Sequence, residues 1–392
     1  MIERITELEK KYVLDVLSTS FSTSSSAKYM TLLEHEFAKK FKSAYAISHV
    51  NGTATMHSAL EAFGIGEGDE VIVPPLTMSS TSLVVLQANA TPIFADVDPE
   101  TFVINATSIK KAITNKTKAI ITVALYGVSP DMDPIMALAK EHNLLVIEDN
   151  AQAFLSYYKD RLVGTLGHCA SFSFQSSKHI TAGEGGIITT NDEELAIKIR
   201  KMSGLGYSTI GSKKAKISKH EIQHPSFERH DFLGWNYRMS ELNCAVTLGQ
   251  LEHIEELIQV RIDTARLFDD VVDKCEWLTA QKVPENCKSS YWAYTCKLDT
   301  SVVSWEKFRE IFLSHGGDPF YGAWQLTYLE PLFRDGLYGS RKNMIKTEYK
   351  KGLCPIAEEI QPKLIQFKTN YWDINDAKKQ AKILAITTDK LG

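Results

Sequence analysis

The chain is poor in the features that would make it a disulfide scaffold, a metal protein, a membrane protein or a nucleic-acid binder. Its 392 residues hold six cysteines, at 169, 244, 275, 287, 296 and 354, and no two form a CxxC pair. That scatter argues against a disulfide framework or a zinc site and predicts reduced thiols. Basic residues are not in excess: 44 Lys and Arg stand against 48 Asp and Glu, a formal net charge of −4. A nucleic-acid binder would carry a basic patch or stripe, so no such partner is expected. No apolar run approaches the length that spans a bilayer, and the opening M-I-E-R-I-T-E-L-E-K-K holds no apolar signal segment. The expected location is the cytoplasm. The chain has no internal repeat.

What is present is an ordinary globular composition, 44% hydrophobic and 23% charged, in a chain long enough for a large core and two domains. An amphipathic helix is predicted over 3–17, with Ile5, Leu8, Tyr12, Val13 and Val16 near helical period. A serine- and threonine-rich stretch, Ser18 to Ser26, breaks it, and a helix over Met30–Phe41 follows. Apolar runs at Tyr45–Ser48, Val71–Pro74, Ile93–Ala95, Ala119–Val123 and Leu144–Ile147 then alternate with helical stretches 53–63, 79–89, 106–114 and 131–142. The alternation predicts an open α/β sheet with mostly parallel strands, in which ligands bind at the carboxyl ends of strands. Residues 204–234 read as a long loop with a basic cluster at Lys213, Lys214, Lys216 and Lys219. A single long helix is expected from Met239 to about Val272. A strand at Tyr291–Leu298, a helix at Trp305–Ser314 and a terminal helix near Ala377–Lys390 complete the chain. The predicted division is a large α/β domain over 1–255, including the N-terminal helix, and a smaller C-terminal α+β domain over 256–392.

The most informative stretch is Ser171 to Asn191. Ser171-Phe172-Ser173-Phe174 reads as a strand end, and Lys178 follows in a polar loop. Gly183-Glu184-Gly185-Gly186 then leads into the β-branched run Ile187-Ile188-Thr189-Thr190. A lysine held there is either an exposed hairpin residue or a partly desolvated amine. Desolvation lowers its pKa and makes it a nucleophile towards carbonyls. Asp149 follows the apolar run Leu144-Leu145-Val146-Ile147 and so sits at the end of a buried strand. It is either a helix cap or a carboxylate that needs a cation, such as a protonated pyridine nitrogen. Asn51-Gly52-Thr53-Ala54 opens a helix just after a strand. It is either a common turn and cap or a phosphate cradle built from free N–H groups.

These segments resemble the DegT/DnrJ/EryC1/StrS aminotransferases, fold-type-I enzymes that use pyridoxal phosphate. In that family a serine precedes the Schiff-base lysine by five residues and Gly-Glu-Gly-Gly begins five after it. Ser173, Lys178 and Gly183 keep both spacings. Some relatives carry histidine at the lysine position and act as dehydratases. The register here puts Lys178, and not His179, at that position, which implies transamination. Glu148-Asp149-Asn150-Ala151-Gln152 resembles the family's E-D-x-A-Q. Asp149 carries over as the pyridinium partner and Gln152 as the residue beside the ring hydroxyl. Gly52, Thr53 and Ala54 carry over as the phosphate cradle, with the Ser173 hydroxyl added. Gly234-Trp235-Asn236-Tyr237-Arg238-Met239-Ser240-Glu241 matches a further family motif. It implies a homodimer in which Asn236 reaches the cofactor phosphate of the neighbouring subunit and Arg238 borders the same pocket. Read without the resemblance, Ser240 is a helix cap and Arg238 a surface charge. Further signatures are Val71-Ile72-Val73-Pro74-Pro75-Leu76-Thr77, Asp96-Val97-Asp98 and Leu125-Tyr126-Gly127 with Asp131-Met132-Asp133.

The resemblance implies glutamate as amino donor and a nucleotide-linked keto-deoxy-sugar as acceptor, for surface polysaccharide or glycan synthesis. A small ketone, such as a keto-cyclitol or a phosphorylated keto-alcohol, is the alternative acceptor. A non-catalytic regulator on the same fold is the other class, and the intact lysine, aspartate and cradle argue against it. The sequence departs from the family pattern in three places. Met78 stands where many relatives have an aromatic residue. Ser290-Tyr291-Trp292-Ala293-Tyr294 replaces the usual histidine-containing segment. Gln366-Phe367-Lys368-Thr369-Asn370-Tyr371-Trp372 replaces the usual closing segment. His220-Glu221-Ile222-Gln223-His224 satisfies H-E-x-x-H, but Pro225 follows at once and no third ligand is evident. No metal is expected.

Overall fold

The computed structural model describes residues 2–19, 21, 27–211, 218–341 and 345–392. Part of the Ser18–Ser26 stretch and three members of the basic cluster, Lys213, Lys214 and Lys216, lie outside the described residues. The apolar runs become strands β1 (Tyr45–His49), β2 (Glu70–Val73), β3 (Thr91–Phe94), β4 (Thr117–Val123) and β5 (Leu145–Asp149). A small hairpin, β6 (Tyr157–Tyr158) and β7 (Arg161–Leu162), precedes β8 (Cys169–Ser173) and β9 (Gly186–Thr190). The seven-stranded sheet has the order β1-β9-β8-β5-β4-β2-β3. All its strands run the same way except β9, which pairs antiparallel with both β1 and β8.

The intervening apolar-faced segments fold as helices Gly52–Ala62, Ser80–Gln87, Ala106–Ala112 and Met132–Glu141. They cover both faces of the sheet, so the strands are buried on both sides, as parallel strands require. The N-terminal helix Glu7–Leu17 begins at a capping box, Thr6 with Glu9. It packs with Lys28–Lys40 and Glu241–Glu252 over a cluster of Phe37, Phe41, Phe154, Phe172 and Phe174.

The expected single helix over 239–272 is two. Glu241–Glu252 and Ile254–Val272 meet at His253, whose backbone leaves the helical region at φ −120°, ψ 25°. The His253 ring there meets Glu9 Oε1 at 2.9 Å. Apolar spacing runs on through the break, so the periodicity alone did not reveal it. The second helix packs its first half on the large sheet's core and its second half on another cluster. That cluster lies under a four-stranded antiparallel sheet of β10 (Leu278–Ala280), β11 (Ala293–Leu298), β12 (Tyr321–Gly322) and β13 (Leu364–Lys368), in the order β10-β11-β13-β12. Helices Trp305–Ser314 and Ile374–Leu391 cover it.

The C-terminal third does not stay on its own sheet. Leu326, Tyr328, Phe333, Ile345, Tyr349 and Ala357 pack against Leu76, Val97, Phe102 and Val123 of the large unit. Asp96, from the Asp96-Val97-Asp98 signature, accepts the Ile356 and Ala357 N–H groups at 2.9 Å each. No helix among the described residues is long and apolar enough to cross a membrane.

Candidate active site

A cavity of about 530 Å³ opens at the carboxyl ends of the parallel strands. Asp149 at the end of β5, Ser173 at the end of β8, Val123 at the end of β4 and Thr77 after β2 line it, with Gly52 and Thr53 at a helix start. Lys178 also lines it, from the turn joining β8 to β9. The structure therefore brings together Lys178, Asp149, Gln152, Gly52, Thr53 and Ser173.

Asp149 is buried. Its Oδ2 accepts the Thr81 hydroxyl at 2.9 Å and its Oδ1 the Ala151 N–H at 3.2 Å. Burial raises its pKa, and these two donors and the Lys178 charge oppose that only in part. Gln152 is fixed by its Oε1, which accepts the Tyr126 N–H at 2.8 Å. Gly52 has no room for a side chain: a Cβ would lie 2.9 Å from Ser173 Cβ. Gly186 is equally constrained, since a Cβ would lie 2.5 Å from the Asn51 carbonyl carbon. The helix start is thereby pressed onto β8 and β9, and its first residues, Gly52 and Thr53, line the cavity, their N–H groups having no partner within the helix.

Asn51 serves as a cap as well, accepting the Ala54 N–H at 2.8 Å. Ala54 does not line the cavity, and that N–H is already engaged. Asn236 is exposed and Arg238 half-buried, and neither lines this cavity. Ser240 caps the helix Glu241–Glu252, accepting the Asn243 N–H at 3.2 Å. Arg238 Nη1 is buried with no hydrogen-bond partner. Earlier in the same segment of chain, Leu233 is 83% exposed and Trp235 46% exposed.

Lys178 is half-buried, and burial lowers its pKa to about 8. Asp149 and Glu184 oppose the shift, and Arg261 adds to it. Two arginines hold the backbone of its turn. Arg261 Nη2 donates to Ser177 O at 3.2 Å and to Lys178 O at 3.3 Å. Arg4 Nη2 donates to Ser176 O at 2.7 Å and to Lys178 O at 3.1 Å. His179, next in the chain, points the other way. It is fully buried beside Phe154, with Nε2 meeting Ser290 O at 3.0 Å, and it does not line the cavity.

Several residues of the site had no part in its sequence reading. Thr81, which does not line the cavity but donates to Asp149, sits inside a helical stretch, and nothing in its spacing marks it. Trp324 arrives from the loop after β12 and is 40% exposed. Trp292 belongs to the segment that departs from the family pattern, and that departure was the available signal. Gly127, at φ +109°, lets this segment in: a Cβ there would lie 2.6 Å from Ser289 Oγ and from Tyr291 N. Met78 lines the rim and is 50% exposed. The H-E-x-x-H residues are elsewhere. His220 lies in a five-residue helix, and His224 lies past its end with Nδ1 2.7 Å from Ser226 Oγ.

A lysine of lowered pKa and a buried carboxylate in one cavity, at the strand ends of an open α/β sheet, suit carbonyl and amine chemistry. The family description "DegT/DnrJ/EryC1/StrS aminotransferase family" matches residues 3–368, and the chain belongs to that family. It is an aminotransferase of fold type I. It is 39% identical over 293 residues to a GDP-perosamine synthase of Caulobacter vibrioides, covering 74% of each chain. It is 36% identical to the spore coat polysaccharide biosynthesis protein SpsC of Bacillus subtilis, covering 68% of this chain and 67% of that one. The crystal structure of an aminotransferase from Psychrobacter cryohalolentis superposes with a TM-score of 0.90 at 29% identity, covering 100% of this chain and 99% of the other.

Proposed function

We propose that the chain transfers an amino group from glutamate to the keto group of a nucleotide-linked keto-deoxy-sugar, with pyridoxal phosphate as cofactor, in surface glycan synthesis. The observation that carries this reading is one cavity, in a member of this aminotransferase family, holding both a depressed-pKa lysine and a buried aspartate. The similar GDP-perosamine synthase and SpsC support a nucleotide-linked sugar as acceptor and a polysaccharide as destination.

The residues present fit the cofactor. Gly52 and Thr53 offer backbone N–H groups at a helix start, with Ser173 Oγ beside them, where a phosphate would be held. Asp149 has two hydrogen-bond donors for a buried carboxyl group, a state that a protonated ring nitrogen would relieve. Gln152, with its oxygen occupied, keeps its amide N–H groups to donate to a ring hydroxyl. When bound, pyridoxal phosphate supplies the electron sink that makes a proton on the donor's α-carbon removable. Lys178 Nζ would hold the cofactor in the resting enzyme. Once released, it accepts that proton as a neutral amine and returns it as an ammonium. A pKa of about 8 lets both forms be populated near neutrality.

Asn236 and Arg238 belong to the same reading through a second copy of the chain. An isologous homodimer would carry them to the partner's cavity, Asn236 towards the phosphate and Arg238 at the substrate's edge. Their exclusion from their own cavity and the exposed Leu233 and Trp235 support this. The decisive experiment is single-turnover amination by the aminated-cofactor form over a panel of nucleotide-linked keto-sugars, keto-cyclitols and phosphorylated keto-alcohols. A nucleotide-linked 4-keto- or 3-keto-6-deoxy-sugar is expected to react fastest. A small ketone reacting as fast would replace the sugar as acceptor.

A further inference from the structure

Lys178 Nζ lies 4.8 Å from the centroid of the Trp292 ring, over its face. That ring has little freedom. Its Nε1–H donates to Ser177 O at 2.9 Å. Its other neighbour is Tyr126, stacked at 6.3 Å with planes 9° apart. Its backbone is held at both ends: Trp292 N donates to Tyr126 O at 3.1 Å, and Trp292 O accepts from Arg261 Nη1 at 2.9 Å. An indole fixed in this way, inside the cavity and against the lysine's own turn, presents a π face to one atom of consequence.

We infer that Trp292 is a positioning residue for the reaction: its ring face is the seat of the Lys178 ammonium whenever that amine is free of the cofactor. A ring face attracts a cation and not a neutral amine, and the attraction grows as the site is desolvated. The contact therefore favours the charged form of Lys178. The other groups facing Nζ are Asp149 from the end of β5 and Glu184 from the glycine-rich turn, which also favour charge. Arg261, from the helix Ile254–Val272, and burial itself oppose it. Seating the charged lysine to one side keeps the proton it has taken within the cavity, at a fixed place. The neutral amine is released from the seat, and this asymmetry suits a group that must both take and return a proton.

The inference rests on Lys178 as the cofactor-bearing lysine, which borohydride trapping and peptide mapping test separately. Its own test reads the amine directly. The full-length protein, stripped of cofactor, is labelled with trace acetic anhydride across a pH series, and the Lys178 peptide is quantified by mass spectrometry. Trp292→Leu is expected to lower the labelling midpoint of Lys178 by about one pH unit, a roughly tenfold weaker hold on the proton. Trp292→Phe keeps a smaller and weaker ring face and loses the Nε1–H bond, and is expected to lower the midpoint by about half as much as Trp292→Leu. Fluorinated tryptophans placed at position 292 keep shape and N–H while weakening the ring's negative face. The midpoint should fall step by step with fluorination, which preserves the test if Trp292→Leu does not fold. An unmoved midpoint in the fluorinated series, or equal shifts in Trp292→Phe and Trp292→Leu, would overturn the inference in favour of the hydrogen bond alone.

Discussion

Lys178 is fixed through its backbone before its amine does anything. Arg4 and Arg261 converge on the carbonyls of residues 176–178, so the side chain starts from a defined point. Replacing the side chain should leave this scaffold intact. Lys178→Ala is expected to lose turnover by at least about 10³-fold, as loss of a proton-transfer group and covalent anchor implies. Its circular dichroism should be unchanged, and the visible absorbance of the lysine–cofactor link should vanish. Asp149→Asn should keep donor affinity within a few-fold but slow the donor half-reaction by about 10² or more, measured by stopped flow. From the residues alone both were ambiguous, an exposed lysine or a helix cap being as natural a reading; it was the family spacings around Ser173, Lys178 and Gly183 and the Glu148–Gln152 motif that singled them out. Trp292 and the two arginines were not legible. They reach the lysine from distant parts of the chain, and no local period or turn chemistry announces such a contact.

At the scale of elements, the N-terminal helix is positioned by one carboxylate. Glu9 is buried; Oε2 accepts the Thr6 N–H at 2.9 Å, and Oε1 takes the Gln250 amide at 2.5 Å and the His253 ring at 2.9 Å. Burial would raise its pKa, but the hydrogen bonds from His253, Thr6 and Gln250 outweigh that and bring it down to about 2. A carboxylate with a depressed folded pKa stabilises fully above its unfolded value of 4.5, and that contribution is lost as pH falls through about 2. Glu9→Gln should therefore be less stable by about 2 kcal/mol at neutral pH, and should lack this portion of the acid dependence in urea titrations. Gly249→Ala probes the same joint from the other side, since its Cβ would lie 2.7 Å from Glu9 Cγ. A loss of about 1–3 kcal/mol is expected, read as a lowered urea midpoint. Strand runs and helices were readable from periodicity, but the N-terminal helix, expected from residue 3, starts only at Glu7, because the Thr6 and Glu9 capping box sets its first turn. The break at His253 was not readable, because apolar spacing continues through it and the partner its ring meets there, Glu9, lies near the start of the chain.

At the scale of the whole molecule, the proposed shared site makes a numerical demand. Lys178→Ala and an Asn236/Arg238 double variant are each expected to be inactive. If the lysine and the Asn236/Arg238 pair of one site come from different chains, a mixed dimer has one native site and one doubly damaged site. Random exchange of equal amounts makes about half the dimers mixed, so activity should return to roughly a quarter of native. Confirmed exchange with no recovery would place all these residues in one chain's site. The alternating pattern of the first half gave the parallel sheet its order of strands and helices. The C-terminal third was less readable because its Leu326, Tyr328, Phe333, Ile345, Tyr349 and Ala357 pack on the large unit and not on their own sheet. Asp96 binds two N–H groups of that third, Tyr349 donates to Pro92 O at 2.8 Å, and Thr327 N donates to Pro75 O at 3.0 Å. These ties have a calorimetric consequence. Heat cannot free the C-terminal third without also stripping β2 and β3 of their cover, so both sheets of a subunit should melt in one endotherm, with no earlier shoulder from the small sheet.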